Sequence, residues 1–389
     1  MGRFVIIISI FLLIVLQQLP VDIYLPSFPE MADHFDVTPR IIQSSLTVYL
    51  LGFGASPIFL GILSDRFGRR KILMACLVGY VIAGVACAIT NSMLWLLVFR
   101  AIQGFASGGL QITTSAMARD ITTGKSLLLL SSYMSLVWSV IPILAPAIGG
   151  YIENYLGWRG NFYFILVWAV PVFYFVARYL PETNRRCERL SVYEAFTRFN
   201  YLFHNGRFIF YVIATGLSFS LTIAFCTAAP FLFQKQLGFS EIRFGWLMFI
   251  VSGSYLLGVA GNSYLLNHFS VNRIISGGLL LTFLSALAMV YLAVMKVFTG
   301  LAVIIPVFLI VFGQGFVFPN AIGLAMDSVK QYFGLSSSVL TSCQMIIVGI
   351  VSQCIANFAN TTQLPLALTM LVISVLLGML YLLLHRVSR

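Results

Sequence analysis

The chain has 389 residues, of which 60% are hydrophobic and only 9% charged, and its mean hydropathy is +0.97. A soluble domain carries charge on roughly a quarter of its residues, so this is the composition of an integral membrane protein. The net charge of +11 is accounted for by membrane topology, as shown below, and calls for no nucleic-acid partner.

A spanning helix takes about 20 residues. Twelve apolar runs of that size follow one another, at about 5–25, 41–63, 72–90, 93–118, 127–150, 161–180, 208–233, 242–266, 274–294, 301–325, 335–358 and 365–385. The strict alternation of a membrane barrel is missing. The expected fold is therefore an all-α membrane protein of twelve transmembrane helices in two six-helix pseudo-repeats. Its parts are an N-terminal half (1–180), a cytoplasmic linker (181–207) and a C-terminal half (208–389).

The first run follows Arg3 in the manner of a signal peptide, but no small-x-small cleavage site follows and it is read as a retained helix. Near its end stands Asp22. A bare charge there is costly, so Asp22 either faces a water-filled cavity or a partner, or has reached the outer interface as a cap. The second run carries Gln43, Thr47, Tyr49 and Gly54 and ends in the turn Gly61-Ile62-Leu63-Ser64-Asp65-Arg66-Phe67-Gly68-Arg69-Arg70-Lys71. Four cations in so short a turn do not cross a bilayer easily, which puts this turn in the cytoplasm.

On the fourth run Arg100, Gln103, Ser107, Gln111 and Ser115 recur every three or four residues and make one polar face. It lines an aqueous interior or, at the serines, glues helices together. Gly104, Gly108 and Gly109 beside it allow close helix approach. Counted at 1.5 Å per residue from Phe28 and from Met93, Asp22 and Arg100 both lie about 10 Å below the outer surface. A buried guanidinium needs an acceptor, so the two are expected to pair. Arg119-Asp120 at the end of this run reads as a local ion pair. In the fifth run Trp138, Pro142, Pro146 and Gly150 repeat every four residues as a kinked, close-packing face. The polar stretch after Pro181 is a linker with an interfacial helix at Val192–Phe203. Beyond it the spans are almost uncharged. Gln314-Gly315-Phe316 echoes Gln103-Gly104-Phe105, and Gly258…Asn262 is a worn copy of Gly61…Asp65, as a parallel repeat predicts.

With both termini in the cytoplasm, seventeen Lys and Arg fall inside and five outside, and Arg100 is left within a span. That satisfies the positive-inside rule.

The turn Gly61–Lys71 fills every defining position of the loop between helices 2 and 3 of the major facilitator superfamily, G-x-L-x-D-R-x-G-R-R/K, and the chain resembles that family over nearly its whole length. Asp22-Ile23-Tyr24-Leu25-Pro26, with Pro29, is similar to the end of helix 1 in the bicyclomycin/chloramphenicol-resistance group of drug:proton antiporters. Leu97–Gly104 resembles the family's helix 4 motif, whose Arg is linked to proton transfer. Pro142–Gly150, with Gly149 and Gly150 at its end, resembles the antiporter motif of helix 5, though Ser135 and Ser139 stand where the fuller pattern has Gly. Pro181-Glu182-Thr183 also resembles the family.

What the resemblance implies is a proton-coupled multidrug or small-molecule efflux antiporter of the bacterial inner membrane, working by alternating access. Asp22 would exchange the proton, with Arg100 as the cation that favours its carboxylate form. Gly61, Asp65, Arg66, Gly68, Arg69 and Arg70 would latch the halves, with Asp65 and Arg66 as the charge relay. The proposed cavity residues are Tyr24, Tyr49, Gln103, Gln111, Trp138, Phe225, Asn320 and Gln344. The acid suits a moderately apolar cationic substrate, and Arg100 leaves open an uncharged or anionic one. The expected partners are the lipid bilayer, a small-molecule substrate and protons, with the chain a monomer and no cofactor or metal. A dedicated metabolite or siderophore exporter, or a proton-coupled importer, would use the same fold. A membrane enzyme or a receptor is the reading of another class, but no convergent catalytic set or P-loop is seen and the four histidines sit at loops or span ends.

Overall fold

The computed structural model describes residues 2–184, 200–329, 333–358 and 361–387. Twelve helices are long and apolar enough to cross a membrane. In order they are span 1 (Arg3–His34), span 2 (Pro39–Phe67), span 3 (Arg69–Ile89), span 4 (Met93–Ile121), span 5 (Gly124–Leu156), span 6 (Trp158–Tyr179), span 7 (Gly206–Gln236), span 8 (Glu241–Leu265), span 9 (Val271–Val294), span 10 (Gly300–Asp327), span 11 (Gly334–Ala356) and span 12 (Leu364–Leu384). Strands are absent among the described residues. Of the interfacial helix expected at Val192–Phe203, residues 192–199 lie outside the described residues, and the linker is described only at its ends.

Several spans run further than their hydropathy suggests, and span 1 does so through breaks. Its first helix ends at Asp22, a short 3-10 turn covers Leu25–Ser27, and a seven-residue helix, Phe28–His34, completes it. Proline explains the breaks, because Pro20, Pro26 and Pro29 each lack the N–H that continues a helix. Span 7 likewise changes after Pro230 into a wide π turn, Phe231–Gln236.

Helix packing exposes the repeat. Span 2 packs on 4, 3 on 4 and 6, and 1 on 4, 5 and 6; six spans later, 8 packs on 10, 9 on 10 and 12, and 7 on 10, 11 and 12. Spans 2 and 4, and their counterparts 8 and 10, use the same device. A Cβ on Gly104 would lie 2.0 Å from the Tyr49 carbonyl oxygen of span 2, and one on Gly315 would lie 2.6 Å from the Gly258 backbone of span 8. The echo of Gln103-Gly104-Phe105 in Gln314-Gly315-Phe316 is thus a repeated backbone contact. It is the small-residue contact that membrane helices use, since lipid gives them no hydrophobic drive to associate.

The halves meet where span 2 packs on 11 and span 5 on 8. Shifting by six spans turns one pair into the other, as an axis running through the bundle requires. At the end opposite the Gly61–Lys71 turn, called here the far end, polar bonds join the halves. Lys235 pairs with Asp33 at 2.5 Å, Gln234 Nε2 donates to Pro26 O at 2.9 Å, and Gln43 Nε2 donates to Thr227 O at 2.7 Å. Thr47, Ser352 and Thr227 form a hydroxyl chain between spans 2, 11 and 7.

Candidate functional site

The break in span 1 creates the polar centre. Pro20 has no N–H for the Leu16 carbonyl, and the Tyr80 hydroxyl of span 3 donates to that oxygen instead at 2.9 Å. The helix ends at Asp22, which frees the Pro20 carbonyl: Arg100 Nη2 of span 4 donates to it at 2.9 Å, and Tyr49 of span 2 adds a bond to Gln17 O nearby at 3.1 Å. Three spans therefore supply donors to one frayed helix end. Unpaired backbone acceptors in lipid would each cost several kcal/mol.

Arg100 is fully buried. Nη1 donates to Gln103 Oε1 at 2.8 Å, and its guanidinium carbon lies 4.3 Å from the ring centres of both Tyr24 and Tyr49. Rings at that range bind a desolvated guanidinium by cation–π attraction. The expected ion pair with Asp22 does not form. The two residues do share one level, but the Pro20 carbonyl and the two rings take the cation, while the Asp22 carboxylate accepts from Gln18 Nε2 at 2.9 Å. Asp22 is buried at 4% exposure, and the turn just beyond it, Leu25–Ser27, packs on spans 7 and 8 of the second half. It is thus no cap at the interface. Gln17 Nε2 bonds Thr114 at 3.2 Å, and Gln17 Oε1, Gln43 Oε1, Gln103 Nε2, Ser107 Oγ and Gln111 Oε1 are buried without protein partners. The polar face of span 4 therefore does look inward.

The glycines and prolines of span 5 hold the far end of this site. A Cβ on Gly149 would lie 1.8 Å from Ile23 O, beside Asp22, and one on Gly150 would lie 2.5 Å from Glu241 O of span 8. The Pro146 carbonyl in turn sits against Gly245, where a Cβ would be 2.6 Å away.

At the other end, Gly68 adopts φ 101°, which favours glycine. A Cβ there would also meet the Glu182 carboxylate at 2.6 Å. Glu182 accepts from the first amides of span 3, Arg69 N at 2.9 Å and Arg70 N at 3.1 Å, where an acid opposes the helix dipole. Asp65 pairs with Arg69, and Arg69 Nε reaches Asp120 at 3.4 Å. Arg66 lies over the Phe67 ring at 5.3 Å, and Asp65 takes Arg69, not Arg66, as its ion-pair partner. One expectation is corrected here: Asp120 bonds Arg69 and Thr183, not Arg119. Adjacent helical residues do not face each other, whereas residues four apart do.

Residues 10–353 match the Major Facilitator Superfamily. The chain belongs to that family. Over 386 residues it is 28% identical to a bicyclomycin resistance protein homolog of Haemophilus influenzae, covering 96% of this chain and 95% of the relative. It is also 28% identical to multidrug resistance protein D of Escherichia coli, covering 94% and 92%. The solved D-xylose-proton symporter superposes over 97% of both chains with a TM-score of 0.79 at 15% identity, a likeness of fold. The chain is a multi-pass membrane transporter acting on small-molecule substrates.

Within this major facilitator fold the expected cavity residues separate. Tyr24, Tyr49 and Gln103 surround Arg100, and Gln111 continues their face. Phe225 is buried next to Cys226, its ring 6.2 Å from that of Phe233. Asn320 stands apart, its Nδ2 donating at 2.6 Å to Asn262 Oδ1 between spans 10 and 8. Gln344 is buried on span 11 and Trp138 half-buried on span 5. Sequence reasoning missed Gln18, Tyr80, Thr227 and Glu182 as partners. It also missed a second buried acid, Glu153. For Tyr80 and Gln18 a signal existed: Pro20 announces a free carbonyl at Leu16, and Gln18 stands one turn before Asp22.

Proposed function

We propose that the chain is a proton-coupled efflux antiporter of apolar, cationic or neutral compounds, in which Asp22 binds proton and substrate alternately. The observation that carries this reading is Asp22 itself, buried and bonded to Gln18, with both Nη atoms of Arg100 bonded to other groups. An intramembrane acid without a neutralising cation is costly as an anion, so it draws either a proton or a cationic substrate. Arg100 holds the frayed helix end that carries Asp22. Both its Nη atoms are bonded and two rings lie against it, while its Nε is buried without a protein partner. The named relatives, resistance proteins for bicyclomycin and multiple drugs, favour drug efflux over uptake.

The far end then faces the periplasm, and the Gly61–Lys71 turn and both termini lie in the cytoplasm of a bacterial inner membrane. The halves, 1–180 and 208–389, rock as units about spans 2, 11, 5 and 8, and a monomer suffices. The Asp65–Arg69–Asp120 cluster, with Glu182, ties spans 2, 3 and 4 to the linker as the first-half part of the latch.

The test is substrate-induced proton movement in proteoliposomes under an imposed pH gradient, screening antibiotics, lipophilic cations and chelating polycarboxylates. Native protein should release protons with a lipophilic cation, and Asp22→Asn should bind that compound no longer and release none. An unchanged response in Asp22→Asn overturns the assignment of Asp22; a response to polycarboxylates alone overturns the substrate class.

A further inference from the structure

Span 5 carries a second buried acid. Glu153 lies one turn beyond Gly150, so it sits where spans 1, 5 and 6 of the first half meet the start of span 8. It is 5% exposed. The Ser27 hydroxyl donates to Glu153 Oε2, and Asn161 Nδ2 donates to Ser27 Oγ at 2.8 Å while lying 3.4 Å from the same Oε2. The remaining oxygens have nothing to accept. Glu153 Oε1 and Asn161 Oδ1 are both buried without a donor, and Asn161 is itself fully buried.

The charges around the cluster deepen the deficit. Gly157 N donates to Glu153 O at 2.9 Å, and a Cβ on Gly157 would lie 3.5 Å from Glu30 Oε1 of span 1, so Glu30 stands at the Glu153 turn; Glu241 of span 8 has its backbone carbonyl against Gly150, one turn before Glu153. Two of the cations at this end are engaged elsewhere. Lys235 pairs with Asp33, and Arg159 of span 6 bonds Thr90 O and Asn91 Oδ1, next to His34 and over the Trp158 ring. Arg243 is exposed. Three acids thus gather at a closed seam that offers more acceptors than hydrogens. The missing donor is a hydrogen, and a proton is the smallest species that supplies one.

We propose that Glu153 and Glu30 share one proton at this seam, forming a proton-binding site separate from Asp22 that holds the far end closed. On uptake an O–H bond forms at Glu153 Oε1 and donates to the Glu30 carboxylate, which is exposed and so provides the route from bulk water. On loss that bond breaks, the proton leaves to far-side water through Glu30, and two neighbouring carboxylates face Glu241 with no cation between them. Like charges at such range repel strongly where water is scarce, and the seam at Gly150 and Glu241 parts. The proton returns to the side it came from, so it gates the transporter without adding to the protons carried across. The proposal needs two halves that separate at the far end, as alternating access does, and it does not depend on the role of Asp22.

The experiment places spin labels at Arg40→Cys and Gln236→Cys, exposed sites on opposite halves, in protein whose six native cysteines are replaced by serine. Label-to-label distances are recorded without substrate across a pH series. Native gating should lengthen the distance as pH rises. Glu153→Gln, whose amide imitates the protonated acid, should stay short throughout, and Glu30→Gln should do the same if Glu153→Gln fails to fold. Asp22→Asn should retain the pH response. A distance in otherwise native protein that ignores pH, or one in Glu153→Gln that follows pH as before, overturns the proposal. Closure driven by sodium at fixed pH, with no response to pH itself, would also overturn it and assign the seam to a metal cation.

Discussion

Replacing Gly104 by alanine tests whether spans 2 and 4 are held at backbone contact. The added Cβ would lie 2.0 Å from Tyr49 O, while a carbon–oxygen contact needs about 3.3 Å. The spans must therefore separate locally by roughly 1.3 Å. Overpacking of this kind costs about 1–3 kcal/mol. The shift also carries the Tyr49 ring away from Arg100, forfeiting about 0.5–2 kcal/mol of cation–π attraction. Alanine's better helix propensity returns about 1 kcal/mol, and the control Gly277→Ala, with open space at its Cβ, gains that alone. The two variants should thus differ by about 3 kcal/mol, several degrees in apparent unfolding temperature. The assay is thermal unfolding in detergent followed by a thiol-reactive dye, since Cys76, Cys87 and Cys226 are buried in the fold. Equal unfolding temperatures for the two variants would refute the backbone-contact account.

Tyr80→Phe should destabilise by about 1–3 kcal/mol because Leu16 O loses its donor. The loss should shrink in a Pro20→Ala background, where the new amide can serve that oxygen; equal losses in both backgrounds in the thermal assay would count against the explanation. Glu182→Ala removes two charge-assisted bonds from the start of span 3 and should cost about 1–2 kcal/mol, with faster tryptic cleavage at Arg69–Lys71 as the readout. Lys235→Ala, by contrast, breaks an exposed pair worth at most about 1 kcal/mol, and transport rates should stay within about twofold of native.

The spans, the special turn and the level of Asp22 and Arg100 could be read from the sequence because hydropathy, glycine spacing and helical rise are local or one-dimensional. What could not be read depends on which acceptor wins. An arginine beside a proline-broken helix finds carbonyls as well as carboxylates, and only the fold shows that Pro20 O and two tyrosines take Arg100. Glu153 escaped notice because the fifth hydropathic run stops near residue 150, whereas the helix continues to Leu156 and the turn Leu25–Ser27 packs against it, with Ser27 bonded to Glu153. Burial of that acid comes from its neighbours. One mistaken pair, Arg119 with Asp120, was avoidable, since neighbours on a helix point about 100° apart.

The frayed end of span 1 has a mechanical consequence. Its carbonyls are held by Tyr80 of span 3, Tyr49 of span 2 and Arg100 of span 4, and its far side is pinned by Gly149 of span 5. Asp22 is therefore fastened into one rigid body by four other helices of its own half. Carrying it through the membrane on a sliding helix would break all of these ties at once. If Asp22 exchanges the proton, the acid stays fixed within its half and its exposure changes as the other half swings away. The acid's immediate chemistry can then stay constant through the cycle, and substitutions on the facing surface of the second half can alter which compounds fit without rebuilding the acid's support.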